Sequence, residues 1–171
     1  MVGCEEGGDI FILDTATGQE LGHLPVGGRP RSIAFSPDGT TAYVTLEGEG
    51  SLAVLDVPAR QLRSKIKLDL TPTLPMGVVA SPDGRQLFVT TGRIGKLALI
   101  DVATQKTVFT PVGKRPWGVV LSPDGKRLFT ANGPSNDVSV VDVATQKEIS
   151  RVKVGEGPWG LAIAPTENEP K

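Results

Sequence analysis

The chain has little of what most catalytic and metal sites are built from, with 1 cysteine and 1 histidine among 171 residues. The single cysteine, Cys4, excludes a disulfide framework within the chain. A single histidine leaves few ways to build a metal site or a Ser-His-Asp triad. The net charge is only -1, so the chain lacks the dominant basic field of nucleic-acid-binding surfaces. We therefore expect no nucleic-acid partner, no metal and no cofactor.

Long hydrophobic runs and a helical hydrophobic period are also missing. No apolar run approaches the length of a membrane span, and no charged start precedes an apolar signal core. We therefore expect no membrane span and no signal peptide in this chain. Glycine and proline, by contrast, are abundant at 21 and 14 residues. Short apolar runs between such turn-forming residues are typical of an all-β chain.

The tetrapeptide Ser-Pro-Asp-Gly recurs along the chain. It occupies residues 36–39, 81–84 and 122–125, and a degraded copy covers 164–167. The intervals are 45, 41 and 42 residues, and a fixed period of this length indicates a repeat protein. Proline presets φ for the second position of a type I turn, aspartate can bond its own backbone, and glycine suits the last position. The motif therefore predicts a hairpin turn and not an active site.

Four apolar runs fill each repeat and predict four strands. In the best-preserved copy they cover residues 117–121, 127–131, 138–141 and 149–154. An aspartate follows the third run of every repeat, where it can cap a turn through its side chain. These aspartates are Asp14, Asp56, Asp101 and Asp142. Three extra residues in the loop 69–74 account for the longest interval.

The two ends of the chain match different parts of one repeat. Residues 159–164 match a first strand, and residues 1–4 match second strands such as 42–45. Paired together, they would complete a four-stranded blade and close a β-propeller, which leaves only short, protected edges. We therefore predict a single all-β propeller domain of four four-stranded blades over residues 1–171. Its repeats would cover about 30–72, 73–113, 114–155, and 156–166 joined with 1–27.

Two other assemblies fit the same pattern. Two chains could share an eight-bladed ring as a homodimer in which the terminal strands pair between chains. The chain could also be a piece of a longer propeller. Small residues at one first-strand position, Ser32, Gly77, Gly118 and Gly160, favour closure within one assembly but do not decide between one chain and two.

The second strands carry a family resemblance. Residues 43–45, 88–91 and 129–132 resemble the YVTN-type β-propeller repeat, with Gly-x-x-Pro, Ser-Pro-Asp-Gly and Val-x-Val-Val-Asp-x-Ala-Thr around them. The resemblance covers essentially the whole chain. Similar propellers include surface-layer proteins, secreted quinone-associated proteins, amine dehydrogenase subunits and the haem domain of nitrite reductases, usually with seven or eight blades. The resemblance implies an exported bacterial or archaeal protein, periplasmic or extracellular.

A propeller of this kind gathers two sets of loops on one face, around the mouth of the channel. Arginine binds carboxylates or phosphates bidentately, and tryptophan stacks on flat ligands or cations. The candidate binding residues in the loops between blades are Arg29, Arg31, Met76, Lys114, Arg115, Trp117, Glu156 and Trp159. The loops between second and third strands add Glu5, Glu6, Asp9, Glu47, Glu49, Arg93, Asn132, Asn136 and Asp137. The alternative is that the tryptophans are core between blades and the arginines are solvated loop charges.

Other candidate sites are weaker. Residues 155–160 match the dinucleotide fingerprint, but a strand follows where that motif needs a helix, so we reject it. Glu5, Glu6 and Asp9 could hold calcium, although a solvated acidic loop fits better. His23 falls on an outer fourth strand, which favours a surface residue and disfavours haem ligation. Cys4, aligned with Thr45, Thr91 and Asn132, is expected to be a small core residue and not a nucleophile.

The sequence thus favours a non-catalytic scaffold that binds a protein or a small anionic ligand on its loop face. No base and nucleophile converge in the repeat, so we expect no enzymatic activity. The alternative is a redox-associated propeller subunit or cofactor carrier, which rests on the resemblance to quinoprotein and haem-domain propellers.

Overall fold

A computed structural model describes residues 1–164, whose regular structure is almost entirely antiparallel β-sheet. The strands form four sheets, named blades 1 to 4 in chain order. Blade 1 contains β1 (Val2–Cys4), β2 (Asp9–Leu13) and β3 (Glu20–Pro25). Blade 2 contains β4 (Pro30–Phe35), β5 (Thr41–Leu46), β6 (Ser51–Asp56) and β7 (Gln61–Lys67).

The other two blades repeat the pattern of blade 2. Blade 3 contains β8 (Val78–Ala80), β9 (Gln86–Thr90), β10 (Lys96–Asp101) and β11 (Thr107–Pro111). Blade 4 contains β12 (Pro116–Leu121), β13 (Arg127–Asn132), β14 (Asp137–Asp142) and β15 (Lys147–Lys153). Within every blade, consecutive strands are neighbours. The predicted all-β propeller blades are confirmed. No helix in residues 1–164 is long and apolar enough to cross a membrane.

The Ser-Pro-Asp-Gly segments form the predicted turns between first and second strands. In blade 2, the Ser36 hydroxyl donates to Asp38 Oδ1 at 2.6 Å and accepts the N–H of Thr41 at 2.9 Å. The same two bonds recur in blade 3, from Ser81 to Asp83 and from Gln86 N–H to Ser81. The serine hydroxyl is the largest cause that holds the pKa of each of these turn aspartates below its ordinary value.

The aspartates after the third strands cap the outer turns, as predicted. Asp56 Oδ1 accepts the N–H of Ala59 at 2.7 Å, and this bond is the main cause that lowers the pKa of Asp56. In the last repeat, the Thr145 hydroxyl donates to Asp142 Oδ1 at 2.7 Å and lowers the pKa of Asp142. These local bonds fix the outer turns, and therefore the register of the outer strands.

The core lies between the blades, because both faces of an inner strand are buried. On β9, Leu87 and Val89 pack toward blade 2, while Phe88 between them packs toward blade 4. All three side chains are fully buried. The alternation follows the two-residue period of a strand. Each blade therefore depends on its neighbours for burial, as in other repeat proteins.

Polar contacts close the seam between neighbouring blades on the inner side. The Thr45 hydroxyl of blade 2 donates to Met76 O at 2.6 Å, and the Thr90 hydroxyl of blade 3 donates to Trp117 O at 2.5 Å. Gly77 N–H also donates to Trp117 O, at 3.1 Å. These bonds hold the backbone at the start of blades 3 and 4 against the preceding blade.

The expected closure between the chain ends is wrong for the described residues. Blade 1 has only three strands, with β1 at its edge, and residues 159–164 form no strand. Gly118 N–H donates to Trp159 O at 3.0 Å, which repeats the bond that joins blades 3 and 4. The segment therefore begins beside blade 4, where a following blade would start, and not beside β1. The eight-bladed shared ring stays a prediction, and residues 165–167 of the degraded turn lie outside the described residues.

Candidate functional site

Two repeat positions face each other across the loop face. The first, here called the strand-end position, lies just beyond each second strand and is held by Glu5, Glu47, Gly92 and Gly133. The pairings Cys4–Asp9, Leu46–Ser51 and Asn132–Asp137, with the Thr91 N–H to Lys96 O bond, place these four residues at equivalent points. The second, the post-proline position, is held by Arg31, Met76, Trp117 and Trp159.

A charged network occupies blades 1 and 2. Arg31 Nε donates to Glu47 Oε2 at 2.6 Å, and its Nη2 lies 2.5 Å from the same oxygen. Its Nη1 donates to Glu5 Oε2. The side chains of Arg31 and Glu47 are 24% and 16% exposed, so the pair is partly shielded from water. Arg31 is therefore held between two carboxylates from neighbouring blades.

Arg29 completes this network at its outer edge. Its Nη2 donates to Glu5 Oε1, and it lies 3.9 Å from both Glu6 and Glu47. Three carboxylates thus surround two guanidinium groups. From the sequence, Arg29 and Arg31 were expected to be available for an anionic ligand. In the structure, both form ion pairs with acidic side chains.

Apolar side chains occupy the same positions in blades 3 and 4. A Cβ at Gly133 would lie 3.3 Å from the Trp117 ring, and one at Gly92 would lie 3.5 Å from Met76 Cγ and 2.8 Å from Leu74 O. Glycine at the strand-end position therefore makes room for the large post-proline side chain of the same blade. In blade 2 the two positions carry a salt bridge instead, so the mouth has a charged half and an apolar half.

A cleft of about 240 Å³ joins these two halves. Its lining includes Arg31, Ser32, Met76, Trp117 and Trp159. The two tryptophan rings touch, with centroids 4.0 Å apart and planes inclined by 51°. Trp117 is half-buried, whereas Trp159 is 62% exposed, so in the described part of the chain Trp159 is not blade core. The cleft thus offers an aromatic wall on one side and a guanidinium group on the other.

The remaining candidate residues lie elsewhere on the loop face. Lys114 and Arg115 line a separate cleft together with Arg93. Met76 is half-buried and Glu156 is exposed, with no ion pair to Glu156 among residues 1–164. Glu49 is bound by Lys65 at 2.7 Å, outside the Arg31 network.

A buried polar network supports the loop of blade 4 and was not foreseen as structural. The Asn132 amide donates to Asp137 Oδ1 and to the Ser139 hydroxyl, each at 2.8 Å. Ser135 also donates to Asp137, and Gly113 N–H donates to Ser139. Asn132 and Asp137, two of the predicted loop-face candidates, therefore hold this loop in place.

The two residues set aside on sequence grounds are placed as follows. His23 lies on β3, is 55% exposed, and stacks on Phe11 with ring centroids 5.1 Å apart. Its only ionic neighbour among the described residues is Glu20, at 3.4 Å. Cys4 pairs with Asp9 across the hairpin as Leu46 pairs with Ser51, so Cys4 aligns with Leu46 and not with Thr45. Its side chain is half-buried, whereas the sequence predicted a core residue.

The acidic loop of blade 1 binds two arginines and was a weak candidate for a calcium site. Glu5, considered above as a calcium ligand, binds Arg29 and Arg31. In residues 1–164, no group of three or more histidine, cysteine, aspartate or glutamate side chains is arranged to hold a metal ion.

Comparison with known proteins identifies the family but little else. The model of the family "Lactonase, 7-bladed beta-propeller" matches residues 10–154. Among solved structures, the Kuenenia stuttgartiensis hydrazine synthase superposes with a TM-score of 0.71 and 23% identity. The match covers 77% of this chain and 38% of that chain, and at this identity it shows the fold alone. Comparison with curated proteins finds no match.

The family match corrects one expectation and supports another. The expectation that the chain has no enzymatic activity is overturned, because the matching family is one of lactonases and points toward a hydrolytic function. The propeller resemblance is confirmed, whereas the YVTN type itself stays a prediction. The match spans most of the chain and includes strands from all four blades. The chain belongs to the lactonase family of seven-bladed β-propellers.

Proposed function

We propose that this chain forms part of the active mouth of a propeller hydrolase that opens lactones, which are cyclic esters. The observation that carries the proposal is the position of Arg31, which lines the 240 Å³ cleft and is held by Glu5 and Glu47. The family match supplies the reaction class. Reaction and site agree, because ester hydrolysis needs a base for water and a cation for the developing oxyanion.

Glu47 is the better of the two carboxylates for the role of general base. It contacts Arg31 through Oε2 alone, and no described residue forms a hydrogen bond to its Oε1. Glu5, in contrast, uses both oxygens, one for each arginine. A carboxylate anchored through one oxygen keeps the other available to accept a proton from water. Arg31, which lines the cleft, holds this carboxylate in position through its Nε and Nη2.

Arg31 also has donors to spare. A guanidinium group carries five N–H donors in a planar fork, and Glu5 and Glu47 engage Nε, Nη1 and Nη2 once each. The remaining N–H groups on Nη1 and Nη2 can stabilise the oxyanion as water attacks the carbonyl carbon. The bond from that carbon to the ring oxygen then breaks. The proton taken by Glu47 returns to the ring oxygen, and the product is a hydroxy acid.

The apolar half of the mouth favours a lactone with a flat hydrocarbon part. Trp117 and Trp159 form the aromatic wall of the cleft, and Met76 lies beside them in its lining. Aromatic pairs prefer offset or edge-to-face contact, which this inclined pair offers to a flat ligand. Dihydrocoumarin, an aromatic lactone, is therefore a suitable probe.

The test compares two glutamates of one short turn, residues 47–49. Glu47→Gln is expected to lower kcat for dihydrocoumarin hydrolysis by about 10²-fold or more, as for loss of a general base. Glu49→Gln is the matched control, because Glu49 binds Lys65 and not Arg31. Product formation is followed by ultraviolet absorbance at several pH values. Equal rates for the two variants, or no lactone hydrolysis by the unaltered chain, would rule the proposal out.

A further inference from the structure

A second cleft lies on the loop face between blades 3 and 4. Its volume is about 540 Å³, within the range of small-molecule sites. Arg93, Lys114 and Arg115 line it together with the apolar side chains of Ile94 and Pro134. No aspartate or glutamate is part of the lining. The cleft therefore combines three cations with apolar side chains.

The three cations are unneutralised within the described chain. In residues 1–164, none of Arg93, Lys114 and Arg115 has a carboxylate within 4.0 Å, and none of their side chains donates a hydrogen bond. Asp137 lies behind Gly113 in the lining, but its carboxylate is buried and faces Lys153 at 3.6 Å. Like charges gathered without counter-charges create a local field that attracts anions.

The repeat itself provides a comparison for Arg115. Arg29 and Arg115 both precede a proline that begins a first strand, and both have positive φ, at 59° and 50°. Arg29 is surrounded by Glu5, Glu6 and Glu47. In blades 3 and 4, glycine replaces the glutamate at the strand-end position. Arginine at this repeat position is therefore neutralised by carboxylates at Arg29, whereas no carboxylate of the described residues lies within 4.0 Å of Arg115.

Arg115 is also held in place before any ligand arrives. Its guanidinium carbon lies 5.0 Å from the centroid of the Trp117 ring, within the range of a cation–π contact. A guanidinium group stacked in this way keeps its edge free for a bidentate carboxylate. The apolar lining residues Ile94 and Pro134 suit a ligand with a hydrocarbon frame between its acidic groups.

We propose that the cleft lined by Arg93, Lys114 and Arg115 binds a small organic anion that carries two or more carboxylates on an apolar frame. This site is distinct from the Arg31–Glu47 pair and does not depend on the hydrolase proposal. Because its affinity comes from charge, binding weakens as the salt concentration rises.

The probe is benzene-1,3,5-tricarboxylate, and the uncharged control is benzene-1,3,5-trimethanol. Binding to the full chain is measured by isothermal titration calorimetry at low and high salt, without any lactone. Tryptophan fluorescence provides a second signal, because Trp117 touches Arg115. We expect the tricarboxylate to bind and the triol not to bind. Equal heats for both compounds, or no binding of either, would overturn the proposal.

Two test variants and one control variant locate the site. Lys114→Gln and Arg115→Asn are each expected to weaken binding about ten-fold, the effect of losing one hydrogen-bonded charge. Arg29→Asn is the matched control for Arg115→Asn, since asparagine tolerates the positive φ of both positions. Unchanged affinity in both Lys114→Gln and Arg115→Asn, or an equal loss in Arg29→Asn, would contradict this location. Lys114 is exposed, so its variant carries the test if Arg115→Asn fails to fold.

Discussion

The seam between blades 3 and 4 makes the replacement of Gly77 by alanine a sharp test of the fold. Gly77 has no positive φ, so alanine is compatible with its backbone. An added Cβ would nevertheless lie 2.6 Å from Trp117 O, and 3.3 Å from Thr90 Oγ1 and Val119 Cγ1. The nearest neighbour is a backbone oxygen, which cannot rotate away as a side chain can. The two blades must therefore separate locally.

The cost has two parts. Overpacking of this kind costs about 1 to 3 kcal/mol. Separation also weakens the bonds to Trp117 O from Gly77 N–H and the Thr90 hydroxyl, at 3.1 and 2.5 Å, each worth about 0.5 to 1.5 kcal/mol net. Gly77→Ala is thus expected to lower the free energy of unfolding by about 2 to 6 kcal/mol, a large fraction of a typical domain's stability.

The same repeat position supplies the controls. At Gly118, a Cβ would lie 2.9 Å from Trp159 O and 3.0 Å from Gly160 Cα, so Gly118→Ala is expected to be costly as well. At Gly160, no described atom lies within 4 Å, and Gly160→Ala is expected to change stability by less than about 0.5 kcal/mol. Urea unfolding followed by circular dichroism measures all three. A cost for Gly77→Ala as small as that for Gly160→Ala would refute the seam argument, whereas a large cost at Gly160 would mean that another blade covers this side of blade 4 in solution.

Two further predictions concern the turns. Ser81→Ala removes the hydroxyl that donates to Asp83 and accepts the N–H of Gln86. It is expected to lower the free energy of unfolding, measured in urea, by about 1 to 2 kcal/mol. A change below about 0.3 kcal/mol would show that the turn is stable without this hydroxyl. Seven turn aspartates have pKa values below the ordinary 3.8, so their contribution to stability is fully present above about pH 5 and is lost as the pH falls through their folded-state pKa values. Thermal unfolding between pH 6 and pH 2 checks this, and a melting temperature that rises on acidification to pH 3 would contradict it.

The strands and turns could be predicted from the sequence because their causes are local. The Ser81–Asp83 bond and the Asp56–Ala59 cap span two and three residues, so the tetrapeptide and the lone aspartate each carry their own structural signal. Repetition then removes ambiguity, since an error in one copy is exposed by the other three. The loop before blade 3, a large irregularity of the repeat, was visible as a longer interval.

The ring closure could not be predicted in the same way. A first-strand segment pairs equally well with any second strand of the repeat, because the backbone donors and acceptors are the same in each copy. Residues 159–164 were therefore compatible with β1 and with a following blade alike. In the structure, Gly118 N–H donates a hydrogen bond to Trp159 O. The repeat pattern predicts this contact with blade 4 whether or not the segment also pairs with β1.

The ion pairs around Arg31 could not be predicted from the repeat pattern either. Glu5 and Glu47 are 26 and 16 residues from Arg31. The pairing of β4 with β5 brings Glu47 to Arg31, and the arrangement of blades 1 and 2 brings Glu5 there. Counting cations along the loops treated Arg29, Arg31 and Arg115 as equals. A signal was nevertheless present, because glutamate at the strand-end position accompanies arginine after the proline, whereas glycine there accompanies Met76 and Trp117.

The pairing of the strand-end residue with the post-proline residue limits which substitutions the loop face tolerates. Within a blade, the strand-end and post-proline residues contact each other, so their effects on stability are coupled and not additive. A side chain at Gly133 would collide with the Trp117 ring, and glycine in place of Glu47 would remove a partner of the partly buried Arg31. Blades 2 to 4 therefore show two self-consistent combinations, glutamate with arginine in blade 2 and glycine with a large apolar residue in blades 3 and 4. On the loop face, changing both residues of one blade together is therefore expected to cost less stability than changing either residue alone.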